Sequence, residues 1–384
     1  MLSKKIKTNN GITLVALVIT IIILLILATI SIQSLTNTGL FKKANEAKEK
    51  TQNAAENQAK ILNEYEDELN KYISGNVEKT FKGKTVTDAI QYADVLNKND
   101  NTELQDAYGN KIVVPAGFKI VSNDDTSNAT TVDKGIVIED ATSAATAGSQ
   151  FVWIPVGKIY TDTERTEANV KAIELNRYTF DENGISTAQN ENIVESKFQE
   201  LETSNKGNIV AKSIPNFKNS VTTNGGYYIG RYEARKNISG TITEVGTDTV
   251  WNSITQPNTA IQAQNMYNST KFTSDLMNSY AWDTATLFLQ TYGTNATYSR
   301  KTSINSSLSQ TGTTDDKQCN VYDMASNVWE WTTETSNNSS SPCARRGGSY
   351  IYSSNFTSSH GSSTTSGSVA NIGFRPLLFV GPNS

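Results

Sequence analysis

Cys319 and Cys343 are the only thiols in this 384-residue chain, and His360 is its only imidazole. A soft-metal centre needs several thiolates, and an iron centre needs histidines beside carboxylates. Zinc chemistry and histidine-based nucleophilic catalysis are equally short of material. His360 sits in a serine-rich stretch with no acidic residue close in sequence to orient it, so the logic of a catalytic triad does not apply. The two cysteines flank Trp329-Glu330-Trp331. In an exported chain with no other thiol, such a pair is expected to form a disulfide. That link would contribute ~3 kcal/mol on the chain-entropy account. Two buried free thiols are the alternative.

The residues best suited to recognition lie between Ser349 and Asn371. Tyr350, Tyr352, Ser354, Asn355, Phe356, Thr357, Ser359 and His360 stand among further Ser, Thr and Gly. This mixture matches the composition of binding loops in which aromatic rings supply contact area and small polar groups adapt. These eight positions are the expected ligand-binding surface, for a protein or a glycan.

Composition narrows the classes further. Hydrophobic residues make up 37%, charged residues 19%, and the formal net charge is −4. A weakly charged, Ser/Thr/Asn-rich surface suits a secreted or cell-surface protein, and an acidic chain lacks the basic footprint of nucleic-acid binding.

The elements that must carry this surface begin at the N-terminus. Ile12 to Ile32 is an uncharged run of 21 residues, roughly 31 Å long as a helix and thus matched to a bilayer core. Lys4, Lys5 and Lys7 precede it and no charge follows before Leu40. The positive-inside rule then leaves the leader cytoplasmic and the rest outside, at the cell membrane. A cleaved secretory signal is the alternative, but its apolar core is only about 7–15 residues. From Leu40 to Ile73, Ala44, Ala47, Thr51, Ala54, Gln58, Leu62, Tyr65, Leu69 and Tyr72 recur at spacings of three and four. They predict one amphipathic helix continuous with the apolar run, over residues 12–73.

The segment from Lys4 through Gly11-Ile12-Thr13-Leu14-Val15 to Leu17 resembles the class III signal of type IV prepilins. The resemblance implies a leader of residues 1–11, cut by prepilin peptidase between Gly11 and Ile12, with methylation of the new terminus at Ile12. It also implies packing against other pilin-like subunits through the helix, in a pilus. Pilins carry Glu at the fifth mature position, where this chain has Ala16. That Glu resembles a charge partner for a neighbour's terminal amine, whose unpaired burial is costly. The departure points to a minor or tip subunit rather than a repeating one.

Beyond residue 73 the pattern changes to short β-branched and aromatic runs separated by Gly, Asn, Asp and Ser. Examples are 111–114, 135–138, 151–154 and 226–229. Helices are expected at Val86–Leu96 and Asn278–Tyr292. Residues 74–104 read as a linker with a small helical segment, and 160–224 as a polar insertion. Phe151-Val152-Trp153-Ile154-Pro155, Tyr227-Tyr228-Ile229-Gly230-Arg231-Tyr232-Glu233, Asn327-Val328-Trp329-Glu330-Trp331, Arg346-Gly347-Gly348-Ser349-Tyr350 and Gly373-Phe374-Arg375 follow in order. That series is similar to the formylglycine-generating-enzyme-like family, a branch of the C-type-lectin-like fold. The expected architecture is therefore α+β: a long N-terminal transmembrane, pilin-type helix followed by a C-type-lectin-like domain over 105–384. Glu330 and Arg375 are candidates for a structural ion pair.

The resemblance stops short of catalysis. Catalytic members place copper-binding or redox cysteines just after Gly-Gly-Ser-Tyr, and here Ile351 to Thr357 contain none. Glu330, with carbonyls around Asn327, resembles a structural calcium site of the family, and oxygen ligands suit that ion; no other cofactor is expected. In retroelement-diversified lectin folds the stretch before Gly-Phe-Arg varies, and adenine mutagenesis of Asn-type codons never yields Lys, Glu, Gln, Met or Trp. None of these five occurs between Ser349 and Asn371. The reading is a non-catalytic, surface-displayed minor or tip pilin-like subunit that binds a ligand. A structural pilus or pseudopilus subunit and a formylglycine-generating enzyme are the alternatives.

Overall fold

The computed structural model describes residues 14–32, 43, 48, 50–55, 57, 58, 60–62 and 81–381. Within the last range 123–128, 143–144, 168, 190–196, 204–207, 237–241, 244–248 and 353 are left aside. The chain divides into two compact units, Met1–Lys79 and Thr80–Ser384. The boundary falls inside the linker expected at 74–104.

In the first unit, α1 spans Leu14–Ile32. Leu17, Val18, Ile19, Ile21, Ile23, Leu24 and Leu25 are exposed on it. Side chains are described only for residues 16–25 of this helix. Among the described residues no helix is long and apolar enough to cross a membrane. Every described residue from 43 to 62 is helical. Gly11, Ile12 and the continuity of the helix through 33–42 and 63–73 lie outside the described residues.

The second unit is built on two large sheets, five two-stranded sheets and four helices among the described residues. The strands of the two large sheets are β1 (Phe118–Ile120), β2 (Val137–Asp140), β3 (Gln150–Pro155), β4 (Phe198–Gln199), β5 (Gly226–Gly230), β6 (Phe272–Leu276), β7 (Trp329–Ser336), β8 (Cys343–Arg346), β9 (His360–Ser363), β10 (Ile372–Phe374) and β11 (Pro376–Val380). A six-stranded antiparallel sheet runs β6-β11-β5-β3-β2-β1. A five-stranded sheet runs β4-β7-β8-β9, with β10 pairing β7 in parallel. Central strands of both sheets are buried along their whole length: β3 from Phe151, β5, β7 and β11. Continuous apolar runs such as Phe151-Val152-Trp153-Ile154 are what a strand covered on both faces requires. Val328 and all of β7 are buried, so side chains on both faces of Val328 to Trp331 meet covered layers.

Of the expected helices, α5 (Ser279–Tyr292) appears as read, whereas α2 covers only Val86–Gln91 of the expected Val86–Leu96 and ends at an extended Tyr92. Asn278 caps α5 by accepting the Ala281 N–H at 2.9 Å, which satisfies one of the donors a helix start leaves over. Two further helices, α3 (Ile214–Asn224) and α4 (Gln256–Asn265), were not foreseen. Each is preceded by a capping hydroxyl, Ser213 or Thr255, and has a proline in its first turn. That hydroxyl-then-proline pattern is the signal that finds them. Val86 and Ala89 of α2 are fully buried in the core, so residues 80–104 belong to the domain.

The polar stretch 160–224 is woven into the scaffold. Ile173 and Tyr178 are buried, a hairpin pairs Arg177–Phe180 with Ser186–Gln189, and β4 extends the five-stranded sheet.

Candidate binding site

The loop 349–359 is held at both ends by buried contacts. The Tyr350 N–H donates to the Asn327 carbonyl at 2.8 Å, and Asn327 itself has φ 61°. Thr357, fully buried, donates its hydroxyl to the Tyr298 carbonyl at 2.8 Å and accepts the Trp282 indole N–H at 2.9 Å. Thr357 is thus part of the frame, and its assignment to the ligand surface is corrected by that burial. Ile351, Tyr352 and Ser354 are exposed at the tip, with Tyr350, Asn355, Phe356, Ser359 and His360 half-buried. Ile304 and Leu308 are also exposed. They flank Ser309 and Asn305, both of which hydrogen-bond Asn327. The loop tip and this apolar pair therefore share Asn327 as a common support.

Below the tip a cleft of about 240 Å³ opens between the 177–189 hairpin and the loop. Tyr178, Thr179, Phe180, Arg300, Phe356, Ser358, Ser359 and His360 line it. Three of the expected residues, Phe356, Ser359 and His360, meet there. Tyr178, Thr179, Phe180 and Arg300 were missed, because the first three come from an aperiodic polar stretch and Arg300 from a short 3₁₀ turn over Tyr298–Arg300. No local pattern marks either.

His360 has an acidic partner after all, supplied by the neighbouring sheet rather than by sequence neighbours. Its Nε2 lies 3.3 Å from Glu334 of β7, and its ring stacks on Phe198 of β4 with centroids 4.7 Å apart. Glu334 also meets Arg346 at 2.9 Å and Arg177 at 3.5 Å, and Arg346 pairs with Asp283. Burial alone would push the Glu334 carboxyl up, but Arg346, His360 and Arg177 outweigh it and hold it well below the usual range. Nearby Glu200, half-buried, is instead pushed up to about 8, by desolvation first and by the Glu334 charge second.

Glu330 is committed elsewhere. Both its oxygens face Arg375, at 3.1 and 2.8 Å, confirming the expected pair. A carboxylate so engaged is not arranged as a cation ligand. Among the described residues no group of three or more His, Cys, Asp or Glu side chains is placed to hold a metal. The expected disulfide is absent, since Cys319 and Cys343 are free. Cys319 Sγ donates to the Asp133 carbonyl at 3.6 Å, whereas Cys343 Sγ faces Gln256 Oε1 at 3.9 Å. Each thiol is packed into its own surroundings.

Residues 259–378, about a third of the chain, match the family model described as Sulfatase-modifying factor enzyme 1-like domain. A C-type-lectin-like domain fits that match and the mixed α/β architecture. Among solved structures, the chain is similar to the Major Tropism Determinant I1 variant at 14% identity and a TM-score of 0.31, covering 79% of this chain and 99% of that one. For the M1 variant the values are 15%, 0.32, 79% and 100%. No match is found among curated proteins.

Proposed function

We propose that this protein is a non-catalytic, surface-displayed recognition subunit. In this reading its C-type-lectin-like domain binds a protein or glycan ligand through the loop 349–360 and the cleft beneath it. The observation that carries the reading is the contrast within the loop. Ile351 and Tyr352 are 52% and 49% exposed, while Tyr350 and Thr357 on either side are tied to buried backbone. An apolar tip anchored on both flanks loses less entropy on binding than a loop free at either end.

The remaining parts of the reading rest on the sequence. The uncharged run Ile12–Ile32 supports a membrane anchor, and an apolar helix exposed at all its described side chains but Ile22, as α1 is, calls for lipid or partner helices to cover it. The Gly11-Ile12 junction supports processing by prepilin peptidase and association with pilin-like subunits, with Ala16 favouring a minor or tip position. The missing Cys after Gly348-Ser349-Tyr350 supports the non-catalytic assignment. The residue types absent from 349–371 support retroelement diversification of the loop.

The test expresses the full chain with prepilin peptidase and measures adhesion of the displaying cells to target cells. The Ile351→Ser/Tyr352→Ala variant should lose adhesion by at least tenfold at equal surface expression. Undiminished adhesion would refute the role of the loop. A mature N-terminal peptide without methylated Ile12 would refute the pilin-type processing separately. Formylglycine formation on a cysteine peptide would overturn the non-catalytic assignment.

A further inference from the structure

Around the cleft, Arg177, Arg346 and Lys301 have carboxylate partners, whereas Arg300 and Arg345 have none among the described residues, Arg345 lying over Trp329 instead. Arg177 and Arg346 share Glu334, with Asp283 also on Arg346. Lys301 pairs with Asp316 at 3.0 Å. Arg300 is different: its guanidinium carbon lies 3.7 Å from the centre of the Phe356 ring, and among the described residues it makes no ion pair. The stack holds the planar fork in one orientation while leaving its N–H groups free, which preorganises it for two-point contact with an anion. The same cleft offers the hydroxyls of Thr179, Ser358 and Ser359 and the rings of Tyr178, Phe180 and Phe356.

We infer that the cleft binds the carboxylate of an acidic sugar, with Arg300 gripping the carboxylate, the hydroxyls meeting ring hydroxyls and an aromatic wall covering the sugar's C–H face. The volume, about 240 Å³, is below the roughly 300–1,000 Å³ of drug-sized sites, so one pyranose fills it. A simple acidic amino-acid side chain would satisfy Arg300 but leave the hydroxyls and rings unused, which favours the sugar. The negative charge of Glu334 is already balanced by Arg346 and Arg177, so it does not repel an incoming anion strongly. This inference rests on the recognition role of the loop and assigns a ligand class to its cleft.

Titration of the full chain in detergent with digalacturonate, its neutral counterpart digalactose and N-acetylaspartate, followed by ligand-observed NMR, tests it. Digalacturonate should bind at least tenfold more tightly than either control, and more weakly as salt rises. Arg300→Gln should reduce that binding at least tenfold with an unchanged thermal midpoint. Arg300→Lys should recover only part of it, since an ammonium cannot make the stacked two-point contact. Equal binding of digalactose, preference for N-acetylaspartate, or full binding by Arg300→Gln would each overturn the assignment. So would failure of digalacturonate to bind. The adhesion assay with Ile351→Ser/Tyr352→Ala reads the recognition role independently, so an adhesive protein that ignores acidic sugars refutes only the cleft's ligand.

Discussion

Arg375 reaches across 45 residues of sequence to Glu330 and holds it by two bonds, Nε to Oε2 at 3.1 Å and Nη2 to Oε1 at 2.8 Å. Arg375 lies between β10 of one sheet and β11 of the other. Its remaining N–H groups donate to the Gly230 and Tyr322 carbonyls, both at 2.7 Å. One guanidinium therefore satisfies groups from both sheets at the point where the chain passes between them. Both partners are almost fully buried, so each charge depends on the other. Burial pushes the Glu330 carboxyl up, against the opposing pull of Arg375.

Arg375→Met should destabilise the domain by about 3–5 kcal/mol, because it strands a buried carboxylate. The double variant Glu330→Met/Arg375→Met should recover much of that loss. Urea unfolding of the three proteins measures it, and a double variant as unstable as the single one would show that the carbonyl contacts of Arg375, rather than the charge pair, dominate.

Stability should fall as pH rises from about 5 to 8. Glu200 is raised to about 8 by burial and by facing Glu334, with Arg177 opposing, so in this window the folded chain keeps a proton that the unfolded chain has released. Asp275 and Asp323, each raised to about 6 by burial, add to the fall at its acidic end. Glu334 is shifted the other way, so its contribution is present above the ordinary carboxyl range and is lost only in stronger acid. Unfolding free energies at pH 5.5, 6.5, 7.5 and 8.5 should be flatter in Glu200→Gln than in the parent.

Gly347 and Gly157 should respond differently to alanine. Both have positive φ, 87° and 113°. A Cβ at Gly347 would lie 2.6 Å from the Met324 carbonyl oxygen, whereas one at Gly157 meets nothing within 4 Å. Gly157→Ala should cost about 1 kcal/mol or a little more through its backbone conformation alone. Gly347→Ala should cost distinctly more, and thermal melts of the two variants compare them directly.

Neither thiol should react in the native protein. Burial pushes both Cys319 and Cys343 up to about 12, so at pH 8 almost no thiolate is available to attack a reagent. Iodoacetamide should modify neither cysteine in buffer and both in 6 M guanidinium without reductant. A denatured chain that remains unlabelled until reduced would restore the disulfide.

Much of the frame was legible in the sequence because it is written in local patterns of a few residues each. The Phe151–Pro155 and Gly226–Gly230 runs announce buried strands, Asn278 marks the start of α5, and the ordered blocks ending in Gly373-Phe374-Arg375 point to the lectin-like scaffold and to the Glu330–Arg375 pair. Local composition also singled out Tyr352, Phe356, Ser359 and His360 as surface chemistry. What the sequence determined by itself was therefore the type of the buried segments with a strong local pattern, though not of α3 and α4, and the loop that escapes burial. Tertiary structure alone decided which side chains meet. It brought Glu334 to His360, set Arg300 flat on Phe356, buried Thr357 and kept Cys319 apart from Cys343. Periodicity reports which face of a segment avoids water, but pairing between distant segments depends on how those faces pack, and no local pattern encodes that.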